Sequence, residues 1–141
     1  MNHQVRSRFR VRSYEVDSYG HLNNGVYVNL FEQGRLDYLM SLGFSYDGFA
    51  ERQEWIVVGR TEVVFRKPVH SGDELVVVSE VEGLGRTSAR FEQRMYIAGV
   101  DGLETGDIVC QANTLMVFSG VGGGSIPIPD DFRAAVEQDA P

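Results

Sequence analysis

The chain has 141 residues, a formal net charge of −7, 43% hydrophobic and 23% charged residues, and one cysteine, the composition of an ordinary one-domain globular protein. The acidic balance argues against general nucleic-acid binding, which needs a basic footprint, and a lone Cys110 excludes an intrachain disulfide and a cysteine zinc site. No apolar run follows Met1 and no stretch nears the roughly 20 apolar residues that cross a bilayer, so the expectation is a cytoplasmic protein with no membrane span.

Residues 5–16 alternate, with Val5, Phe9 and Val11 on one side and Arg6, Arg8, Arg10 and Arg12 on the other. A period of two is a half-buried strand. The arginine row reads either as a solvated face paired with acids on neighbouring strands or as a phosphate-binding strip. Asp17-Ser-Tyr-Gly-His-Leu-Asn-Asn24 then lies between that strand and a helical pattern over 24–42. Gly20 supplies freedom for the turn, and Asn23 and Asn24 are capping residues. The first amides of a helix lack partners and its dipole favours negative charge there. A carboxylate beside them can attack a carbonyl or activate water while the amides hold an oxyanion; the other reading is a plain N-cap with polar company.

On the helix, Tyr27, Phe31, Gly34, Tyr38 and Leu42 form one stripe, and Gly43 is a natural stop. Gly34 costs helix stability, which predicts close approach to a sheet. Leu36 and Met40 interrupt the polar face and hint at a second contact surface. Residues 44–54 read as a loop or short helix whose Phe44, Tyr46 and Phe49 either wall a pocket or form a satellite cluster. Four strands follow at 55–66, 75–82, 87–98 and 107–119, joined by turns at His70-Ser71-Gly72-Asp73, Gly83-Leu84-Gly85-Arg86 and a Gly-rich 99–106. In the first of them the odd positions Trp55 to Phe65 are expected to share one face. Short connections imply an antiparallel sheet with one apolar face for the long helix, an α+β architecture of about five strands. Gly122-Gly123-Gly124-Ser125 reads as part of a flexible spacer at 120–125, and Pro129-Asp130-Asp131 starts a short helix over about 129–137.

There is no Gly-x-Ser-x-Gly elbow, Walker loop or dinucleotide fingerprint. His3, His21 and His70 lack metal-ligand spacing, so no metal and no cofactor is expected.

Val16 to Tyr27, followed by Phe31-Glu32-Gln33-Gly34-Arg35-Leu36-Asp37-Tyr38-Leu39, resembles the hotdog-fold acyl-thioester hydrolases. The nearest type is the 4-hydroxybenzoyl-CoA thioesterase family and its bacterial acyl-CoA thioesterase relatives. Phe65-Arg66-Lys67-Pro68-Val69 with Gly72-Asp73, and Ile126-Pro127-Ile128-Pro129, extend the likeness over nearly the whole of 1–141, read as a single domain. The resemblance implies a curved antiparallel sheet around one long helix and hydrolysis of an acyl-CoA to free acid and CoA. Asp17 matches the catalytic carboxylate, as nucleophile or general base, and the Asn24 N–H matches the donor to the thioester carbonyl, with Gly25 as helper. Tyr19, Gly20, His21 and Asn23 belong to the substrate-orienting loop, although His21 also reads as a local hydrogen bond that fixes the loop. The family's other type uses a helix glutamate instead of this aspartate; Glu32 is the only local candidate for it and, with Asp17 present, is read here as structural. Arg66, Lys67 and Arg86 are candidate contacts for the CoA phosphates. A homodimer with a shared pocket is implied, with a homotetramer through Leu36 and Met40 as a further option. The rival readings are an acyl carrier protein substrate, a non-hydrolytic acyl-binding protein and a hotdog dehydratase.

Overall fold

The computed structural model describes residues 3–99 and 104–138. The alternating N-terminal segment forms β1 (Gln4–Arg10), followed by a 3-10 turn at Ser13–Glu15. The helical stripe forms α1 (Asn24–Ser41), which stops where Leu42 and Gly43 return their N–H groups to Leu39 and Met40, Gly43 at φ +87°. A left-handed residue after the last turn is the usual way for a helix to end. The 44–54 stretch contains α2 (Tyr46–Glu51), capped by the Ser45 hydroxyl. Then come β2 (Trp55–Phe65), β3 (Glu74–Leu84), β4 (Ser88–Ala98), β5 (Glu104–Ser119) and α3 (Asp130–Gln138). Of the Gly-rich 99–106 turn, residues 100–103 lie outside the described residues.

The five strands make one sheet in the order β1-β3-β4-β5-β2, every neighbour antiparallel, with α1 laid against β1, β3 and β4. This is the expected α+β architecture. Tyr27 and Phe31 of α1 pack with Leu75 and Met95 near one end. Tyr38 and Leu39 pack with Phe91, Phe118 and Phe132 near the other. Phe44 and Phe49 stack at 5.4 Å within that second cluster, so they are core rather than pocket wall.

A polar seam separates the two clusters. Gln93 donates through Nε2 to the Phe31 carbonyl at 2.7 Å and to Ser79 Oγ at 2.9 Å, and its Oε1 accepts from Arg35 Nη1 at 3.1 Å. Gly34 explains itself here: a Cβ would sit 2.7 Å from Gln93 Nε2 and 2.8 Å from Ser79 Oγ. The helix reaches the sheet only because that side chain is missing.

On β2 the structure differs from the expected alternation. The register with β5 shifts between Val58 and Arg60, a bulge around Gly59, so the strand exchanges its faces midway. Before the bulge Ile56, not Trp55 or Val57, is buried; after it Val63 turns inward. Trp55, Val57, Val58, Val64 and Phe65 are left exposed on a strand at the sheet's edge. That apolar edge is a larger unpartnered surface than Met40 with half-buried Leu36.

The outer charge lattice forms. Arg6 Nη2 meets Glu104 at 2.7 Å, and Arg94 bridges Glu80 and Glu92 at 3.2 and 3.1 Å. The 120–125 segment, expected to be a flexible spacer, is a hydrogen-bonded turn: Gly123 donates to Gly120 at 3.1 Å and Gly120 to Gly124 at 2.9 Å. Two consecutive glycines at φ +88° and +86° permit that geometry. α3 then buries Phe132 and Val136, and its Asp131 binds Arg52 at 2.8 Å.

Candidate active site

Residues 16–22 fold back on themselves. Asp17 N–H donates to His21 O at 2.8 Å, Gly20 N–H to Asp17 O at 3.0 Å, and Val16 bridges Leu22. Gly20 sits at φ +78°, a conformation that favours glycine. The returning arm is stitched to the segment before β3: Leu22 N–H donates to Val69 O at 2.7 Å, and His21 pairs with His70. Leu22 and Val69 are both buried, so the polar tip of the loop is carried by an apolar root.

This fold fixes the Asp17 carboxyl. Its Oδ1 accepts the N–H groups of Tyr19 at 2.9 Å and His21 at 3.1 Å. Oδ2 has no donor among the described residues. The carboxylate opens on a cleft of about 240 Å³ whose walls include His21, Asn24, Tyr27, Phe65 and Arg66. Tyr19 is exposed and is not one of the walls, Gly20 makes the turn, and Asn23 caps the helix. Of the expected loop residues, the structure therefore brings together Asp17, His21 and Asn24.

The start of α1 can be accounted for amide by amide. Asn23 N–H goes to Glu15 O at 2.9 Å, Gly25 N–H to Asn23 Oδ1 at 2.9 Å, and Val26 N–H to Asn23 O at 2.9 Å. Asn24 N–H alone of these has no acceptor among the described residues. The Gly25 amide, expected to help at the carbonyl, is committed to the cap.

The cations divide. Arg66 and Lys67 line the same cleft, where Arg66 Nε reaches Gln111 at 3.2 Å and Lys67 Nζ reaches Asp107 at 2.9 Å. Arg86 does not join them. It lies beyond the far end of β3, an 11-residue strand that spans roughly 30 Å and begins just after the His70–Asp73 turn.

Sequence reasoning treated Tyr27 and Phe65 as core and passed over His70. Tyr27 is one helical turn from Asn24, the spacing that puts two residues on one face, and that spacing was the available signal. Its ring stands edge-on to Phe65 at 5.1 Å. Burial pushes the Tyr27 phenol above its ordinary value, the neighbouring Cys110 and Asp17 add to the rise, and the Val69 backbone N–H at its oxygen opposes it. His70 stands edge-on to His21 with ring centres 5.1 Å apart. Burial also pushes the Cys110 thiol up to about 12, so it is inert beside the site.

A second cleft of about 310 Å³ opens near the start of β2, walled by Glu32, Tyr46, Trp55, Val57, Val58 and Met116. Glu32, read as structural, is exposed on its wall. Behind it Arg35 is buried, and desolvation lowers its guanidinium below the ordinary value while Tyr46 and Glu32 hold it up. Arg35 falls on the α1 stripe, four residues after Phe31 and three before Tyr38, so its burial too was readable from spacing.

Residues 11–136 match the family model of the thioesterase-like superfamily. An acyl-acyl carrier protein thioesterase of Arabidopsis thaliana is 32% identical over 94 residues, 67% of this chain and 48% of that protein. The chain thus spans about half the length of the first curated relatives it matches. A thioesterase of Thermus thermophilus, solved with coenzyme A and zinc, superposes with a TM-score of 0.76 at 30% identity, covering 93% of this chain and 95% of the other. The DHNA-CoA thioesterase of Staphylococcus aureus superposes with a TM-score of 0.85 at 22% identity over 96% of this chain and 89% of that one, the same hotdog fold. With a family match that runs from the end of β1 to the last helix, the chain belongs to the thioesterase-like superfamily and is a hotdog-fold member of it.

Proposed function

We propose that this protein hydrolyses an acyl-CoA thioester to the free acid and CoA. Asp17 acts as nucleophile or as general base on water, and the Asn24 N–H polarises the thioester carbonyl. The observation that carries this reading is the coincidence, in one cleft, of the Asp17 carboxylate and Asn24, whose Oδ2 and N–H respectively have no hydrogen-bond partner among the described residues. A thioester is already activated, so one acid and one oxyanion donor are sufficient machinery. General-base help is worth roughly 10²–10⁴-fold and one oxyanion donor about 3–4 kcal/mol.

The exposed β2 edge supports a homodimer. A long apolar edge strand is a liability unless it is paired. Antiparallel pairing about a twofold axis sets the Trp55 half of one β2 against the Phe65 half of the other. It carries the partner subunit's Arg86 toward this protomer's Asp17, so Arg66, Lys67 and the partner subunit's Arg86 surround one CoA. The Leu36 and Met40 face remains for pairing of dimers into a tetramer. A cytoplasmic setting, where CoA esters are made, accords with the single buried thiol.

The test is Asp17→Asn and Asp17→Ala assayed on a panel of acyl-CoAs, with each acyl group also presented on acyl carrier protein. Loss of turnover by at least about 10²-fold with an unchanged circular dichroism spectrum is the expected result. Near-native turnover in either variant removes the assignment. Faster hydrolysis from the carrier protein moves the substrate to the class named in the Arabidopsis relative.

A further inference from the structure

We propose that the corner formed by the end of β1 and the 3-10 turn is a docking surface for an acidic protein that carries the acyl group as a thioester, so that the site takes substrate from a protein as well as from CoA. The proposal rests on the thioesterase reading above and names a partner for it.

The arginine row of β1 divides in the structure. Arg6 is held by Glu104 at 2.7 Å. Arg10 and Arg12 are exposed and form no ion pair among the described residues. Two acids stand near them: Glu74 is opposite Arg10 in the register, and Glu15 accepts the backbone N–H of Arg12 at 2.8 Å rather than its guanidinium. Arg8, Arg10, Arg12 and Glu15 wall a recess of about 110 Å³ with Phe9 and Leu30. Tyr14 stands out of the same turn, 76% exposed. Charges on a free sheet edge also serve to prevent strand pairing, but Arg12 and Tyr14 lie past the last paired residue of β1. Arginine and tyrosine are enriched where protein interfaces hold their binding energy.

Charge selects the partner. The chain carries −7, so an acidic protein is repelled by most of the surface and accepted at this corner, which fixes its orientation. An anionic bilayer shares that sign but faces a whole side of the molecule. It would meet exposed acids such as Asp17 and Glu74 together with the arginines, whereas a small folded protein covers the corner alone, within a Debye length of roughly 8–10 Å. The corner also borders the site. Glu15 O accepts the Asn23 N–H at 2.9 Å, one residue before the Asn24 amide. Val11 is bonded to Asp73 and Gly72, in the turn that begins at His70 beside His21. A partner seated here has a short way to pass a flexible thioester arm to Asp17.

The test places one acyl group on two carriers, acyl carrier protein and CoA, and compares Arg10→Glu/Arg12→Glu, Arg10→Lys/Arg12→Lys and Tyr14→Ala. We expect the wild type to hydrolyse the carrier protein thioester with a kcat/KM that falls as salt is added. The charge reversal should raise KM for that substrate about tenfold or more, while kcat/KM for acyl-CoA stays within about twofold. The lysine pair should keep most of the rate on both carriers. Tyr14→Ala leaves both charges in place and should weaken the carrier protein alone; it covers the case in which the reversal does not fold. An equal effect on both carriers, or on neither, overturns the proposal, and so does a wild type that hydrolyses acyl-CoA and leaves the carrier protein thioester intact. Cosedimentation with phosphatidylglycerol vesicles that the reversal abolishes, with carrier protein kinetics unchanged, assigns the corner to a lipid surface and overturns it as well. A wild type inactive on both carriers removes the thioesterase reading itself.

Discussion

The side-chain oxygen of Asn23 accepts the backbone N–H of Gly25 at 2.9 Å. One capping bond therefore does two jobs: it starts α1, and it decides which amide is left for a substrate. Replacing Asn23 with Ala should cost about 1 kcal/mol, a fall in Tm of about 3–4 °C for a chain of this size. It should also lower kcat less than the Asp17 variants do, because Asn24 keeps its N–H while the helix start loosens. A thermal melt and a kcat on the same sample check both parts; an unchanged Tm would mean the cap bond is not stabilising.

Gly34→Ala pits two effects against each other. Ala favours the helix by about 1 kcal/mol, but its Cβ would lie 2.7 Å from Gln93 Nε2 and 2.8 Å from Ser79 Oγ. The seam that would have to move also holds the Phe31 carbonyl and the Arg35 guanidinium. Overpacking should win, with a net loss of about 1–3 kcal/mol in urea unfolding. A stabilised variant would show that the seam is soft.

Acid stability has one identifiable contributor on the outer face. The hydrogen bond from Arg6 is the largest cause that draws the Glu104 carboxyl down from 4.5 to about 2. A lowered carboxylate contributes stability that is present above its unfolded value and is lost as pH falls through its folded value. Arg6→Ala should therefore be less stable than the wild type at neutral pH, with the gap closing between about pH 4.5 and pH 2. Both ends of the pair are partly exposed, so salt should narrow the gap as well. A gap independent of pH would assign the loss to packing of the arginine stem.

The edge strand makes a prediction about mass. Val57→Lys with Val64→Lys places charges on both halves of β2 and should convert a dimer into monomers by light scattering, with thioesterase activity lost in parallel. Leu36→Glu with Met40→Glu should reduce only a tetramer, to dimers. A wild-type chain that is monomeric at assay concentrations would remove the shared-site reading.

Much of the fold could be read from periodicity, because the chain obeys local rules over most of its length. The Tyr27, Phe31, Gly34, Tyr38 stripe and the turns at His70–Asp73 and Gly83–Arg86 are set by neighbours in sequence. What escaped was set by partners distant in sequence. Gly59 bulges β2 against β5, and no period-two count reveals a residue that belongs to neither face. The glycines at 120–124 look like a spacer until Ser119 finds Ser125 across them. The burial of Arg35 follows from its place on the α1 stripe, but its acceptor, Gln93, lies 58 positions away. The site divides in the same way. Asp17 and Asn24 stood out because they flank a turn into a helix. The commitment of Gly25, the place of Tyr27 and the distance of Arg86 follow only from which hydrogen bonds and strands close around them.

The burial of Cys110 has a practical consequence. Its sulfur is fully enclosed and its proton is held to about pH 12, so alkylating reagents and mild oxidants should pass the native chain by. The wild type is thus a silent background for labelling chemistry. A single cysteine introduced at the exposed Tyr19 position would carry a fluorophore or spin probe to the lip of the cleft, with no native thiol to compete for it.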